Sequence, residues 1–431
     1  MSREPNYIAL AIPFFFFFIL VELLIERGKK QSWYRFSDAV TNLGCGVTSQ
    51  VVNLFFRGAL LWGYVWLYTN YRIIDLGASP ALAWIVALVG VDFLYYWWHR
   101  ASHEVNVLWA AHIVHHQSDD YNLAVALRQA VLTAYTSVPF YLPLALLGVP
   151  PLLYAVSVSI STLYQFWIHT EAIGKLGPFE LVLNTPSHHR VHHARNPQYL
   201  DKNYGAILIV WDRLFGSFVE ETERPVYGIT SPIRSFNPMW AQVHALVDLT
   251  RRSARVPRLA DKLKVWIMPP GWLAEGEIQK PHADLGVRYD VPAAPSLKWY
   301  VTLNFTLIAV ATFGLLLGQD SLDIRVQIAV AALVLLALPA WGALFEGKRW
   351  GLPLELGRLA LTAIAISAWA LEDARHGIAL ASAAGAVLLG LWAIWLPKAP
   401  APRDTPIANP IAETCGGSPR GAPRCDPGAI A

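Results

Sequence analysis

The 431-residue chain is 55% hydrophobic and 15% charged, with a mean hydropathy of +0.36, whereas a soluble chain carries about 25% charged residues. This composition excludes an ordinary soluble domain. The net charge of +3 is small, and the basic residues separate apolar stretches rather than forming a patch with interleaved aromatics, which argues against a nucleic-acid partner.

In chain order, stretches approaching the roughly 20 apolar residues that cross a bilayer occur at 7–24, 40–68, 80–98, 131–147 and 152–168. Four more follow a polar segment, at 299–317, 326–345, 356–371 and 378–396. The expected fold is therefore all-α: a polytopic integral membrane protein of about nine spans, with 40–68 open to reading as a re-entrant pair. The first stretch has no small-residue cleavage site and reads as a retained span rather than a signal peptide. Gly148-Val149-Pro150-Pro151 predicts a tight turn joining two helices into a hairpin.

Orientation follows from the basic residues. Arg27, Lys29, Lys30, Arg35, Arg100, Arg128, Lys348 and Arg349 fall on one side, expected to be cytoplasmic. The expected divisions are N-terminal spans (1–78), a histidine-rich region (79–225), a cytoplasmic or interfacial segment (226–298), C-terminal spans (299–397) and a Pro/Ala/Gly-rich disordered tail (398–431). Within 226–298, basic residues from Arg251 to Lys264 beside Trp266 and Trp272 suit an anionic membrane surface or plain solvent. Cys45, Cys415 and Cys425 share no metal-ligand spacing and support no disulfide framework.

Ten of the thirteen histidines lie between 99 and 193. His99 and His103 form HxxxH, and His112/His115/His116 and His189/His192/His193 form two HxxHH triplets. Positions i, i+3 and i+4 share a helical face, so eight imidazoles come from three faces. One tetrahedral zinc takes at most four protein ligands; eight are enough for two metals. Imidazole alone does not choose among iron, copper, nickel and zinc. His169 follows the fifth span directly and is expected to be a ninth ligand, with His99 ending the third. Two membrane helices then aim at one site, above an apolar floor open to a lipid chain.

Asp92 lies within an apolar span, where an ionisable group is costly and usually paired or functional; it is a candidate to orient a ligand histidine. Asp119, Asp120 and Asp212 are weaker candidates. His188 stands outside the triplet pattern and reads as a supporting residue. Trp98, Tyr164 and Trp167, with Trp97, are candidates to line a substrate channel. His244, His282 and His376 have no partner at ligand spacing and read as ordinary polar residues. A histidine-rich metal transporter would place its ligands near mid-membrane, and a zinc protease needs HExxH, which His103-Glu104 does not complete.

The three boxes in this order resemble the fatty acid hydroxylase and sterol desaturase superfamily of membrane enzymes. The surrounding text is similar to its ether-lipid-hydroxylating members: 95–104 (YYWWHRASHE), 109–112 (WAAH), 184–193 (NTPSHHRVHH), 201–205 (DKNYG) and 211–216 (WDRLFG). The resemblance implies two iron ions per chain, ligated at the eight box histidines, and a catalytic role for Glu104, which follows the second histidine. It also implies oxygen insertion next to an ether oxygen, giving a hemiacetal that breaks down to an aldehyde and a glycerol derivative. The expected partners are a lipid substrate, O2, the membrane and a reductant: tetrahydrobiopterin, another diffusible donor or an electron-donor protein. No GxGxxG follows a predicted strand, so electrons come from outside the chain. Desaturation, or hydroxylation of a sterol or fatty acid, uses the same boxes.

Overall fold

The computed structural model describes residues 7–76, 79–278, 286–372, 375–401 and 403–406. Sixteen α-helices account for most of it. The N-terminal part holds α1 (Tyr7–Lys29), α2 (Phe36–Leu54) and α3 (Arg57–Tyr71). The histidine-rich part holds α4 (Pro80–Glu104), α5 (Asn106–His116), α6 (Leu123–Ala126), α7 (Thr133–Leu146), α8 (Pro151–Trp167), α9 (Pro186–His192) and α10 (Val210–Leu214). Then come α11 (Pro238–Arg255), α12 (Leu259–Ile267), α13 (Pro295–Gly318), α14 (Ile324–Phe345), α15 (Gly351–Glu372) and α16 (His376–Ile394).

The chain is a multi-pass membrane protein, and the described residues hold fewer membrane-length helices than the nine expected spans. Among the described residues, five are long and apolar enough to cross: α4, α13, α14, α15 and α16. The expected span at 40–68 breaks into two helices bent by 58°, which would make a sixth as a pair. Helices α7 and α8 have 14 and 17 residues, or about 21 and 25 Å at 1.5 Å per residue, short of a roughly 30 Å hydrocarbon core. The first expected span forms a helix of 23 residues beginning at the edge of the described chain.

The hairpin turn between α7 and α8 forms as expected. Gly148 sits at φ +83°, and a Cβ there would meet the Ile74 carbonyl oxygen at 1.8 Å, so no other residue fits. Leu146 O accepts from Ile73 N at 2.7 Å, and Tyr64 stacks on Tyr154 with centroids 4.1 Å apart while donating to Val149 O. These contacts seat the hairpin on α3.

The fold is all-helical as expected, apart from two short strands. β1 (Val287–Asp290) pairs antiparallel with β2 (Arg403–Pro406). The start of the expected disordered tail is thus a strand; residues 407–431, with Cys415 and Cys425, lie outside the described residues, as does His282. The strand is tied to the histidine region, since Tyr289 O accepts from Arg35 Nη1 at 2.6 Å and Arg288 Nη1 lies 3.2 Å from Asp120 Oδ1.

Candidate metal centre

Nine histidines gather into two adjoining groups. His99, His103, His112, His116 and His192 form one, and His115, His169, His189 and His193 the other; within each, one nitrogen per ring lies within 4.8 Å of all the rest. All nine are buried. His116 stacks on His193 with centroids 4.4 Å apart, so the groups share a wall.

The sorting follows from helix geometry. At about 100° per residue, i+4 returns near i, while i+3 falls about 60° to the other side. Each HxxHH box is therefore split: His112 and His116 go to one group and His115 to the other, whereas His189 and His193 go together and His192 crosses over. HxxxH contributes both members to the group of five. His169, placed one turn past α8 by its bond from Nδ1 to Gln165 O (2.6 Å), completes the group of four.

The hydrogen bonds assign the ring tautomers. Nδ1–H donates to a backbone carbonyl from His99 (Tyr204, 2.8 Å), His192 (Lys202, 2.9 Å) and His115 (Arg128, 3.0 Å), as in His169. Each Nε2 is left with a lone pair pointing inward. The Nε2 atoms of His115 and His169 are 3.1 Å apart, those of His169 and His189 3.0 Å, and those of His99 and His112 3.0 Å. His103 Nε2 and His192 Nε2 are buried without a hydrogen-bond partner. Lone pairs facing one another at 3 Å repel unless a cation lies between them, and a carbonyl on the outer nitrogen is the usual support of a metal-bound imidazole. The donor set fits a pair of metal ions.

Burial favours the form that binds metal. It pushes the imidazoles of His112, His116, His189, His192 and His193 well below their ordinary range, with neighbouring imidazoles adding to the effect, and takes His115 down to about 4. The rings are neutral at pH 7.

Loops rather than helices provide much of this support. Asp201 and Asn203 have φ of +57° and +56°, a region that Asp and Asn tolerate better than most residues, and the bend turns the Lys202 carbonyl to His192. Asn203 Nδ2 donates to His188 O and Val219 O. Asp212 accepts from Tyr204 N, Gly205 N and Ser217 Oγ, each at 2.7 Å, and so fixes the carbonyl that holds His99. Arg128 donates to Val114 O (2.6 Å), Asn42 Oδ1 and Gln117 Oε1 while its carbonyl holds His115. Buried Glu22 of α1 accepts from Leu123 N at 2.8 Å and from the Tyr34 and Thr170 hydroxyls, tying the first helix to both sides of the centre.

Several expected residues are placed elsewhere. Asp92 touches no histidine: it accepts from Ile207 N, Leu208 N and Trp211 Nε1 at 2.8–3.2 Å, because it lies two turns before His99 and meets the 205–211 loop instead. Glu104 is not brought to the imidazoles; it is half-exposed and bonded to Arg100 at 2.9 Å. His188 belongs to neither group and packs edge-on against Phe218. Asp120 pairs with Arg35 and Arg288, and Asp119 Oδ1 lies 4.0 Å from Arg195. His244 is buried rather than an ordinary surface residue, with Nδ1 3.2 Å from Gln117 Nε2, whereas His376 is exposed.

An apolar cavity opens at the imidazoles, with about 1260 Å³ of atom-free space including its open mouth. Trp98, Tyr95, Gln165, His112, His115 and His169 form its polar end. Trp98 lies against His99 and bonds Thr136. Tyr164 and Trp167 do not line it; Tyr164 donates to Asn184 O at 2.7 Å with Trp167 edge-on beside it. Missed in the sequence were Tyr95 and Gln165, joined at 2.6 Å. They lie four residues before His99 and before His169, a spacing that could have marked them.

Fold and site together define a multi-pass membrane protein with paired histidine groups able to hold metal at the polar end of an apolar cavity. The fatty acid hydroxylase family model matches residues 84–217. Human alkylglycerol monooxygenase is 48% identical over 275 residues, 63% of this chain and 61% of its own length. The Xenopus tropicalis alkylglycerol monooxygenase is 38% identical over 367 residues, 83% of this chain and 81% of its own. An ornithine lipid hydroxylase from Rhizobium tropici is 29% identical over 135 residues, 31% of this chain and 41% of its own. No solved structure matches the chain. The chain belongs to the alkylglycerol monooxygenase family of membrane lipid hydroxylases.

Proposed function

We propose that this protein hydroxylates the carbon next to the ether oxygen of an O-alkyl lipid, using two iron ions held by nine histidines. One observation carries the reading: inward-facing Nε2 lone pairs from two adjoining histidine groups lie at the end of an apolar cavity. His99, His103, His112, His116 and His192 would hold one ion, and His115, His169, His189 and His193 the other. Iron bound there supplies activation of oxygen, so that lipid, O2, two electrons and two protons give hydroxylated lipid and water.

The remaining work falls to the chain. The carbonyls of Tyr204, Lys202, Arg128 and Gln165 fix the ring orientations. Trp98 and Tyr95 shape the mouth, and the apolar walls aim the lipid chain and exclude water. Two electrons come from an external reductant, tetrahydrobiopterin or another donor. The catalytic side is cytoplasmic: Arg35, among the basic residues that flank the spans, is bonded to Asp120 in the loop just after the second box.

The test is anaerobic purification followed by metal analysis and turnover of a 1-O-alkylglycerol. About two irons per chain and O2-dependent release of a fatty aldehyde are expected. One iron per chain, or undiminished activity with zinc, overturns the paired-iron reading. An alkene product instead would place the chain with the sterol desaturases, of which a Schizosaccharomyces pombe enzyme is 30% identical over 169 residues.

A further inference from the structure

The cavity reaches well beyond the region shared with the fatty acid hydroxylase family. Its far wall is α13, the first of the C-terminal spans, through Phe305, Ala309, Thr312 and Leu316. Their spacings of four, three and four put them on one helical face, and they extend about 16 Å along the axis. A further part of the wall comes from α1 through Ile12, Phe15 and Phe16. The family model ends at residue 217, so neither wall belongs to the part of the chain that carries the boxes.

Thr312, among the cavity-lining residues of α13, carries a polar group that the surrounding protein leaves without a bond. Its hydroxyl is buried and has no partner, whereas Thr306 on the same helix donates back to Thr302 O at 2.9 Å. An unpaired buried hydroxyl is costly and uncommon.

The opposite side of α13 is fixed. Tyr300 donates to Glu355 Oε1 at 2.5 Å, Arg358 donates to Asn304 Oδ1 at 2.9 Å, and Trp341 Nε1 lies 3.3 Å from the same glutamate. These bonds anchor α13 to α14 and α15 just before the first cavity residue, Phe305. The C-terminal spans therefore hold a rigid wall at a set distance from the imidazoles.

We propose that this wall is a chain-length gauge: Ala309, Thr312 and Leu316 determine how long an alkyl chain can lie in the cavity while its reacting carbon sits at the imidazoles. The proposal rests on the lipid-oxidising reading above. A bulky side chain at 309 cuts the cavity short, and a smaller one at 316 lengthens it.

The experiment has two arms. In the first, full-length protein in membranes turns over 1-O-alkylglycerols of graded chain length. The ratio of kcat/KM for long over short chains is expected to fall at least tenfold in Ala309→Phe and to rise severalfold in Leu316→Ala, at matched metal content. Equal scaling of all chain lengths in both variants overturns the gauge.

The second arm needs no turnover. An alkyl probe carrying a terminal diazirine is photolysed in the protein and its attachment mapped by mass spectrometry. Labelling within 305–316 is expected, reduced in Ala309→Phe for the long probe only. Labelling confined to α4 and α8, or none in the protein, overturns the gauge. Labelling on α13 without alkylglycerol turnover leaves the gauge standing and rejects the ether-lipid reaction instead.

Discussion

The histidine region and the C-terminal bundle solve opposite problems in one membrane protein. From Pro80 to Phe218 the interior is crowded with buried polar groups, and most of them are paired through loops: Asp212 to three donors, Arg128 to three acceptors, Asn203 to two carbonyls. From Pro295 to Ile394 the packing is hydrophobic, a single large cluster around Trp341, Phe345 and Tyr300, with one polar knot at Glu355 and Arg358. Precision of a few ångströms at nine imidazoles needs directional bonds, whereas a wall against a lipid needs only shape. Cost follows the same division, because a satisfied polar network is rigid but expensive to interrupt, while an apolar bundle loses stability gradually.

The largest effect that would test this contrast is in the boxes. Alanine in place of His99, His103, His112, His115, His116, His189, His192 or His193 is expected to abolish lipid oxidation, with loss of about one metal per chain in His192→Ala and in His189→Ala but from different groups. Metal analysis with turnover in membranes of matched protein content checks it, and His169→Ala should behave in the same way. Full activity in two of these variants would break the paired assignment.

Next in size is Arg358→Met. It removes the cation from buried Glu355, which keeps only Tyr300 and Trp341 as donors, a change that typically costs about 3–5 kcal/mol, and thermal unfolding in detergent should show it while metal content per folded chain stays constant. A parallel loss of metal would mean that the two regions are not separate in the way described. Asp212→Asn is smaller and local: weakening the loop that holds the His99 carbonyl should lower metal affinity about 10- to 100-fold, read by chelator competition. His244→Ala, which removes a buried ring with its contacts to Gln117, Ala241 and Trp240 but no group histidine, is expected to keep turnover within a few-fold, and His376→Ala to change nothing measurable.

A pH titration sharpens the same point. The buried imidazoles of His112, His115, His116, His189, His192 and His193, and His188 at about 4, have folded-state pKa values below the unfolded value of about 6.5. Below that pH the unfolded chain binds more protons than the folded one. Metal-free protein should therefore lose stability as pH falls from about 6.5 toward 4, with little change between pH 7 and 8. Bound metal should oppose the loss until protons displace it.

Much of the centre was legible in the sequence because helix periodicity is a local property. Spacings of three and four bring histidines to one side of a helix whatever the rest of the chain does, so the eight box residues and the capacity for two metals could be read directly, and His169 from its place just after an apolar span. Hydrophobic length likewise marked α4 and α13 to α16. The kink that divides 40–68, the shortness of α7 and α8 and the pairing of 287–290 with 403–406 could not be read, since each depends on neighbours far away in the chain. The same holds for the partners of Asp92, a carboxylate within an apolar span, and of Glu104, which follows a box histidine: the first meets the 207–211 backbone and indole, the second Arg100. Which split halves of the boxes meet across segments, and that the cavity is walled by helices from both ends of the chain, were decided only by the tertiary structure, because the direction of a lone pair and the walls of a void are properties of packing between segments and not of any one of them.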